Sequence, residues 1–323
     1  MIPPWVGAAW RKGLILTQFP ETTSAASPWL KTFPFLPNIS NLASIRSKVN
    51  RTVRMQGKRS ICRLPNRIQA NVPFEEFAMD GRFNLPGELF LPEGEAHVWF
   101  VRLQEMRRHF ESVLETLSPD EVARAARFSF EEHRNEYALT RGFLRHIVGC
   151  YTAFAPRLLQ FRYNSYGKPR LAAECGGDRL SFSLSHSRGV AVYAFTRDRQ
   201  VGVDLEYFHH DVEFDEVAEL YFSQREISVF LQLPSDRKRD AFFSCWTRKE
   251  AYIKARGEGL SLDLRSFDVA FAPAQPASVF SVGDDPNKTQ RWSLADLSAP
   301  VGYTAAFAVE GVAPRIEQWQ WPA

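Results

Sequence analysis

The charge of this chain is unevenly divided, and the division decides which part of it can close around a core. Eleven Lys and Arg residues but one acid, Glu21, precede Glu75, which puts +10 on that stretch. Since the net charge over 323 residues is +3, the remainder carries −7. The first 78 residues also hold many Pro, Ser, Thr and Asn and only short apolar runs such as Phe33–Leu36, with no sustained period of 3.6 or 2. A segment of this kind buries too little apolar surface to offset the entropy lost on ordering it. Residues 1–78 therefore read as a disordered basic extension. They are transit-like in their acid-poor, Arg- and Ser-bearing composition, or they are upstream sequence ahead of a start at Met55 or Met79. No compact apolar core follows the first charges, which argues against a secretory signal.

Beyond Met79 the chain has the composition of a soluble globular protein, with 45% apolar and 24% charged residues overall. No run approaches the roughly 18 apolar residues of a membrane span, so no membrane is expected as a partner. The basic pI of 8.7 comes from the extension, so it is no argument for nucleic-acid binding. Cys62, Cys150, Cys175 and Cys245 are far apart and lack paired metal spacing. That points to a reduced, cytoplasmic setting, with organellar import if the extension is a true transit segment.

The order of elements follows from periodicity. His97–Leu103 is a strand. Ser118, Pro119 and Glu121 make a helix start, with Ser as N-cap and Glu placed for a capping box. A helix runs from about Glu131 to Tyr151, with Tyr137, Leu144, Ile147 and Val148 on its buried face and Arg134, Arg141 and Arg145 as a cationic stripe. Phe161–Tyr163 is followed by a turn, and Leu180–Ser185 alternates as a half-buried strand. Gly189–Thr196 and Val201–Tyr207 are expected to form a hairpin across Arg197–Gln200. Helices then cover Phe214–Tyr221, Ser223–Leu231 and Ser235–Ala255, the last closed by Gly257. Strands return at Ser266–Phe271, Arg291–Leu297 and Tyr303–Glu310. The result is an α+β fold of two similar halves, 79–200 and 201–323, meeting near residue 200.

Within Val201-Gly202-Val203-Asp204-Leu205-Glu206 the apolar residues share one strand face and the two acids the other. Two carboxylates ~7 Å apart on one face repel unless something positive lies near. Either that face is solvated or it holds a cation such as Mg2+, and Gly202 is expected to keep it uncrowded for a ligand. In the later helix Trp246, Glu250 and Lys254 stand at i, i+4 and i+8, along one side. Glu250 and Lys254 are either an ordinary surface pair or a third acid and a phosphate-neutralising cation for the same site.

Together, V-G-V-D-L-E (201–206) and W-T-R-K-E-A-Y-I-K (246–254) resemble the signature of the 4′-phosphopantetheinyl transferase superfamily. More narrowly they resemble its larger, surfactin-synthetase-activating type, in which one chain contains both halves. Y-G-K-P-R-L (166–171), F-S-L-S-H-S (182–187), R-G-F-L-R (141–145) and L-S-P-D-E-V-A-R-A-A-R-F (117–128) resemble that family's earlier blocks, in order. The resemblance spans roughly Val98 to Glu310.

What it implies is a pseudo-dimer of two α/β halves with the active site in the cleft between them. The implied reaction moves the 4′-phosphopantetheine arm of coenzyme A to a serine of an apo acyl or peptidyl carrier protein, with Mg2+, and releases adenosine 3′,5′-bisphosphate. Asp204, Glu206 and Glu250 would hold the metal. Glu250, or a metal-bound water that it orients, would also be the base, Lys254 would hold pyrophosphate oxygens, and Glu226, also explained by a capping box on Ser223, would assist. Lys168, Ser185, His186, Arg145 and Arg141 would receive the nucleotide portion. Phe214–Leu233, with Tyr221, Phe222, Arg225, Ile227 and Phe230, would supply part of the carrier surface. One chain with both sides of the cleft implies a monomer. The alternatives are a relative that binds coenzyme A or a carrier protein without turnover, and another Mg2+-dependent nucleotide-diphosphate enzyme.

Overall fold

Strands whose apolar residues fall on both faces must be covered on both faces, and that requirement organises this protein into layers. The computed structural model describes residues 88–321, apart from 178, 209–213, 273–274 and 283–290. The basic extension and both alternative starts lie outside the described residues. In chain order the elements are β1 (Glu95–Arg102), α1 (Phe110–Leu114), α2 (Pro119–Ala125), α3 (Glu131–Thr152), β2 (Phe161–Tyr163), β3 (Pro169–Leu171), β4 (Leu180–Ser187), β5 (Val190–Arg197) and β6 (Val201–Tyr207). Then come α4 (Phe214–Tyr221), α5 (Gln224–Leu231), α6 (Ser235–Arg256), β7 (Phe267–Val269), β8 (Val279–Val282), β9 (Trp292–Asp296), β10 (Tyr303–Glu310) and β11 (Arg315–Trp321).

Two sheets lie at the centre, one ordered β11-β1-β5-β4 and the other β6-β10-β9. Val98, Phe100, Val192 and Ala194 of the first share a core with Val201, Val203, Leu205, Phe307 and Val309 of the second. The opposite face of the first sheet (Trp99, Val101, Tyr193, Phe195) packs with Phe143, Leu144, Ile147 and Val148 of α3. The opposite face of the second sheet, at Ala306 and Ala308, packs with Phe242, Trp246, Tyr252 and Ile253 of α6. The fold is α+β, two sheets back to back with a 22-residue helix on each outer side. Each fully buried Val, Leu or Phe in these layers contributes roughly 1.5–3 kcal/mol relative to exposure.

The expected hairpin between β5 and β6 does not form. β5 pairs with β1 and β4, whereas β6 pairs antiparallel with β10, Leu205 opposite Ala305. Both strands direct an apolar face into the shared core, but from opposite sides of it, since the ladder partners of β5 are β1 and β4 and that of β6 is β10. The link turns through Asp198 at φ 56°, and Arg199 is held by the Glu310 carbonyl at 2.6 Å. A hairpin does form between β4 and β5, where Arg188 and Gly189 both take positive φ, 42° and 82°. Two successive left-handed residues suit the twist of adjoining strands.

Three further points differ from the sequence reading. β11 lies parallel to β1, with Trp319 stacked on Trp99 at 4.7 Å, so the C-terminal strand returns to the first sheet. β8 is also an unexpected strand, paired with β7. Gly202 does not open space for a ligand: a Cβ there would lie 2.0 Å from the Ala251 carbonyl oxygen and 2.3 Å from the Ala255 amide. The glycine is what lets α6 approach β6 closely. Among the described residues, no helix is long and apolar enough to cross a membrane.

Candidate functional site

β4 and β6 belong to different sheets yet run side by side, and serine hydroxyls take the place of ladder bonds between them. Ser183 Oγ accepts from the Val203 amide and Ser187 Oγ from the Tyr207 amide, both at 3.2 Å. The strict alternation of Leu180–Ser187 is what aligns Ser183, Ser185 and Ser187 on that one edge. Ser185 then reaches Asp204, donating to Oδ1 at 2.9 Å, and Ser187 donates to Glu206 Oε2 at 3.2 Å.

From the other side α6 brings its i, i+4, i+8 row against the acidic face of β6. Trp246 is buried in the core and anchors the helix. Lys254 Nζ lies 2.6 Å from Asp204 Oδ1 and donates to Ser185 Oγ at 2.8 Å. Asp204 and Glu206 are 2% and 5% exposed, so their charges are held largely out of water. Burial, followed by the charge of Asp204, pushes the Glu206 carboxyl well above the ordinary carboxylate range. The same two causes, in the same order, lift Glu250 to about 7. Three acids thus share one field with a single lysine, and the cluster is short of positive charge.

The Asp204 Oδ2 atom is buried without a hydrogen-bond partner. An orphaned carboxylate oxygen is costly in a folded interior. Together with two further carboxyls whose ionised forms are disfavoured by burial and by Asp204, it is the donor set a hard divalent cation uses. Among the described residues, no three His, Cys, Asp or Glu side chains are drawn together as a ready-made metal cluster. As the side chains stand, the cation on Asp204 is Lys254.

Lys168 follows the turn after β2, and its ammonium donates to the carbonyls of Val201 (3.0 Å) and Ala255 (3.1 Å). It therefore joins the start of β6 to the end of α6, and burial lowers its pKa to about 8. Asn164 braces this turn by donating to the Gly257 carbonyl at 2.8 Å and accepting the Lys168 amide at 2.8 Å. His186, at the end of β4, faces Glu136 of α3, with Nδ1 3.5 Å from Oε1. Burial by itself would raise Glu136, but bonds from His186 and the Gly189 amide outweigh it and hold the carboxyl at about 2.

Other candidates are placed elsewhere. Arg141 and Arg145 do not form an open cationic stripe. Arg145 is 1% exposed; its Nε lies 2.6 Å from Glu121 Oε2, and Nη1 donates to the carbonyls of Pro156 and Leu159. Arg141 donates to Glu121 Oε1 at 2.9 Å and to the Tyr163 hydroxyl. A buried carboxylate between two guanidiniums is a structural anchor, with each arginine committed to offsetting its burial. Glu226 is likewise committed. It closes the capping box by accepting the Ser223 amide at 2.8 Å, accepts the Val269 amide at 2.8 Å, and pairs with Lys249 at 2.7 Å. Lys249 is 0% exposed and also donates to the carbonyls of Leu264 and Phe267. Of the expected carrier surface, Phe222 and Phe230 are core residues, whereas Arg225, Val229 and Leu231 are exposed.

Four contributors escaped the sequence reading. The capping-box position of Glu121 is legible, but nothing in it points to the two arginines 20 and 24 residues on. Lys249 and Glu136 had no signal, because a charged residue on a helix is ordinarily solvated. Asn164 could have been suspected from its place before a tight turn, where Asn side chains bond to nearby amides.

Comparison with known proteins adds an independent line. Residues 200–308 match the family model described as the 4′-phosphopantetheinyl transferase superfamily. The chain is 36% identical over 236 residues to 4′-phosphopantetheinyl transferase HetI of Nostoc sp., covering 73% of this chain and 96% of that protein. It is 30% identical over 161 residues to 4′-phosphopantetheinyl transferase Sfp of Bacillus subtilis, covering 49% of this chain and 68% of that one. A solved structure of an ACPS–CoA complex from Chronobacterium ammoniagenes aligns with 35% of this chain and 98% of its own, at 19% identity and a TM-score of 0.26.

Proposed function

Because the chain belongs to the 4′-phosphopantetheinyl transferase superfamily, we propose that it moves the 4′-phosphopantetheine arm of coenzyme A to a serine of an apo acyl or peptidyl carrier protein. The products are the phosphodiester-linked carrier and adenosine 3′,5′-bisphosphate. The observation that carries this reading is the Asp204-centred network: one carboxylate oxygen on Lys254 and Ser185, the other buried and unpartnered.

Asp204, Glu206 and Glu250 would hold Mg2+ through their carboxylate oxygens. When bound, the ion supplies charge neutralisation at the diphosphate whose bond is broken. Lys254, already within the cluster, can neutralise the same pyrophosphate oxygens as a point charge. Glu250, poised at about 7, is suited to take the proton from the attacking serine hydroxyl near neutral pH. Glu226, with both of its oxygens engaged in the interior, reads as a structural acid in this proposal. Lys168, which joins β6 to α6, and His186, at the end of β4, suit the anionic groups of the nucleotide. The free, buried Cys150, Cys175 and Cys245 agree with a cytoplasmic setting, and the presence of both sheets in one chain agrees with a monomer.

The test is chromatographic. Coenzyme A, Mg2+ and an apo carrier protein are incubated with the purified protein, and adenosine 3′,5′-bisphosphate is quantified. Release in a one-to-one ratio with modified carrier is expected, and none with a carrier whose acceptor serine is alanine. Release that is independent of the carrier would instead indicate hydrolysis of the diphosphate.

A further inference from the structure

Next to the strand end that borders the acids, a glutamate faces His186, and the proposed reaction gives that glutamate no part. Glu136, in the second turn of α3, points to the end of β4. Its Oε1 accepts the Gly189 amide at 3.1 Å and faces His186 Nδ1 at 3.5 Å. The two side chains are 18% and 10% exposed, so water does little to screen them. Gly189 belongs to the two-residue turn in which both Arg188 and Gly189 have positive φ, and the bond to Glu136 fixes that turn. The residue before the turn, Ser187, donates to Glu206. One carboxylate on α3 therefore braces an imidazole and the strand end that borders the acids.

A carboxylate facing Nδ1 keeps the proton on that nitrogen, so the second proton that the ring takes up with an anionic ligand sits on Nε2, which then donates to it. An imidazole so held cannot spin about χ2 without losing a charge-assisted bond. We infer that Glu136 is a positioning residue for coenzyme A: it orients His186 through Nδ1 and pins the β4–β5 turn, presenting Nε2 to a phosphate of the nucleotide portion. The inference rests on the pantetheinyl transferase reading of the site. It adds a residue outside the motif blocks, on a helix face whose sequence carries no sign of a ligand role.

The experiment compares wild type, Glu136→Gln, His186→Ala and the double variant in calorimetric binding of coenzyme A and in steady-state kinetics. Glu136→Gln keeps an oxygen for the Gly189 amide and loses only the charge. It should weaken coenzyme A binding about tenfold, the scale of one charge-assisted bond, and raise KM with kcat little changed. In the His186→Ala background the same substitution should cost nothing further, because its effect passes through the ring. Long-range nitrogen–proton NMR of the wild type should show His186 protonated at Nδ1, a readout that does not depend on any variant folding. Unchanged affinity in Glu136→Gln, an undiminished effect in His186→Ala, or a wild-type ring protonated only at Nε2 overturns the inference. A wild type that binds no coenzyme A overturns the underlying reading instead.

Discussion

Lys254 Nζ lies 2.6 Å from Asp204 Oδ1, across the contact between α6 and β6, with Ser185 Oγ bonded to both. The ammonium offsets one carboxylate, while Glu206 and Glu250 remain pushed upward by burial and by that same aspartate. Lys254→Met should therefore do two separable things. It should cost about 1–3 kcal/mol of stability in Mg2+-free buffer, the range for leaving a buried polar partner unsatisfied, and added Mg2+ should recover part of the lost melting temperature. A melting temperature unchanged by the substitution would show that the contact contributes nothing.

Gly202→Ala tests how closely α6 must approach β6. A methyl group would meet helix backbone, not a side chain that could swing away. Overpacking of this kind costs roughly 1–3 kcal/mol or more. The displaced helix carries Glu250 and Lys254, so kcat should fall along with the melting temperature. Stability and activity equal to wild type would mean that the two elements tolerate a wider spacing.

Glu226 is buried and Glu250 half-buried, and paired substitutions separate their roles. Glu226→Gln leaves Lys249 buried without its counter-charge, which costs roughly 3–5 kcal/mol, but the folded fraction should retain its kcat. Glu250→Gln should lower kcat by at least about 100-fold, the scale of a lost general base, with a smaller change in melting temperature. The reverse pattern in chemical denaturation and kinetics would return Glu226 to the chemistry.

Arg145 should behave as an anchor. Arg145→Met removes one of the two guanidiniums on Glu121 and strands two backbone carbonyls. The expected result is a loss of roughly 3 kcal/mol on the scale of a broken buried ion pair. The KM for coenzyme A measured at low temperature should not change. A selective rise in KM without destabilisation would restore Arg145 to the nucleotide site.

Lys168 gives a pH signature. Burial sets its folded pKa at about 8, below the lysine value of an unfolded chain, ~10.4. Between these values the unfolded chain holds one proton more, so this group makes stability rise with pH across that window. The contribution is complete above the unfolded value and is lost as pH falls through about 8. Denaturation at pH 7.5 and 9.5 should show wild type gaining on Lys168→Met at the higher pH. An equal change in both proteins would mean that the ammonium is not significantly desolvated.

Much of this was legible in the sequence because two periods carry it. Period-two alternation put Asp204 and Glu206 on one strand face, and i, i+4, i+8 spacing put Glu250 and Lys254 on one helix face. Neither period says which sheet a strand joins. Val190–Arg197 and Val201–Tyr207 are alike in pattern, so their separation into two sheets could not be seen. Nor does spacing distinguish an acid at a site from an acid in a core. Glu226 and Arg145 lie within recognisable motifs, yet their partners, Lys249 and Glu121, are brought to them only by tertiary packing. Gly202, on the acidic face, suggests room for a ligand, and that room is taken by the backbone of α6.

The central claim is that Asp204, Glu206, Glu250 and Lys254 form the site at which a coenzyme A diphosphate is broken to load a carrier protein. Intact-mass measurement of an apo carrier protein, after incubation with coenzyme A and this protein, tests it most directly. With Mg2+ the carrier should gain one phosphopantetheine, and the gain should vanish with chelator and with Asp204→Ala. An unmodified carrier with the wild type, or full modification by Asp204→Ala, would contradict the account.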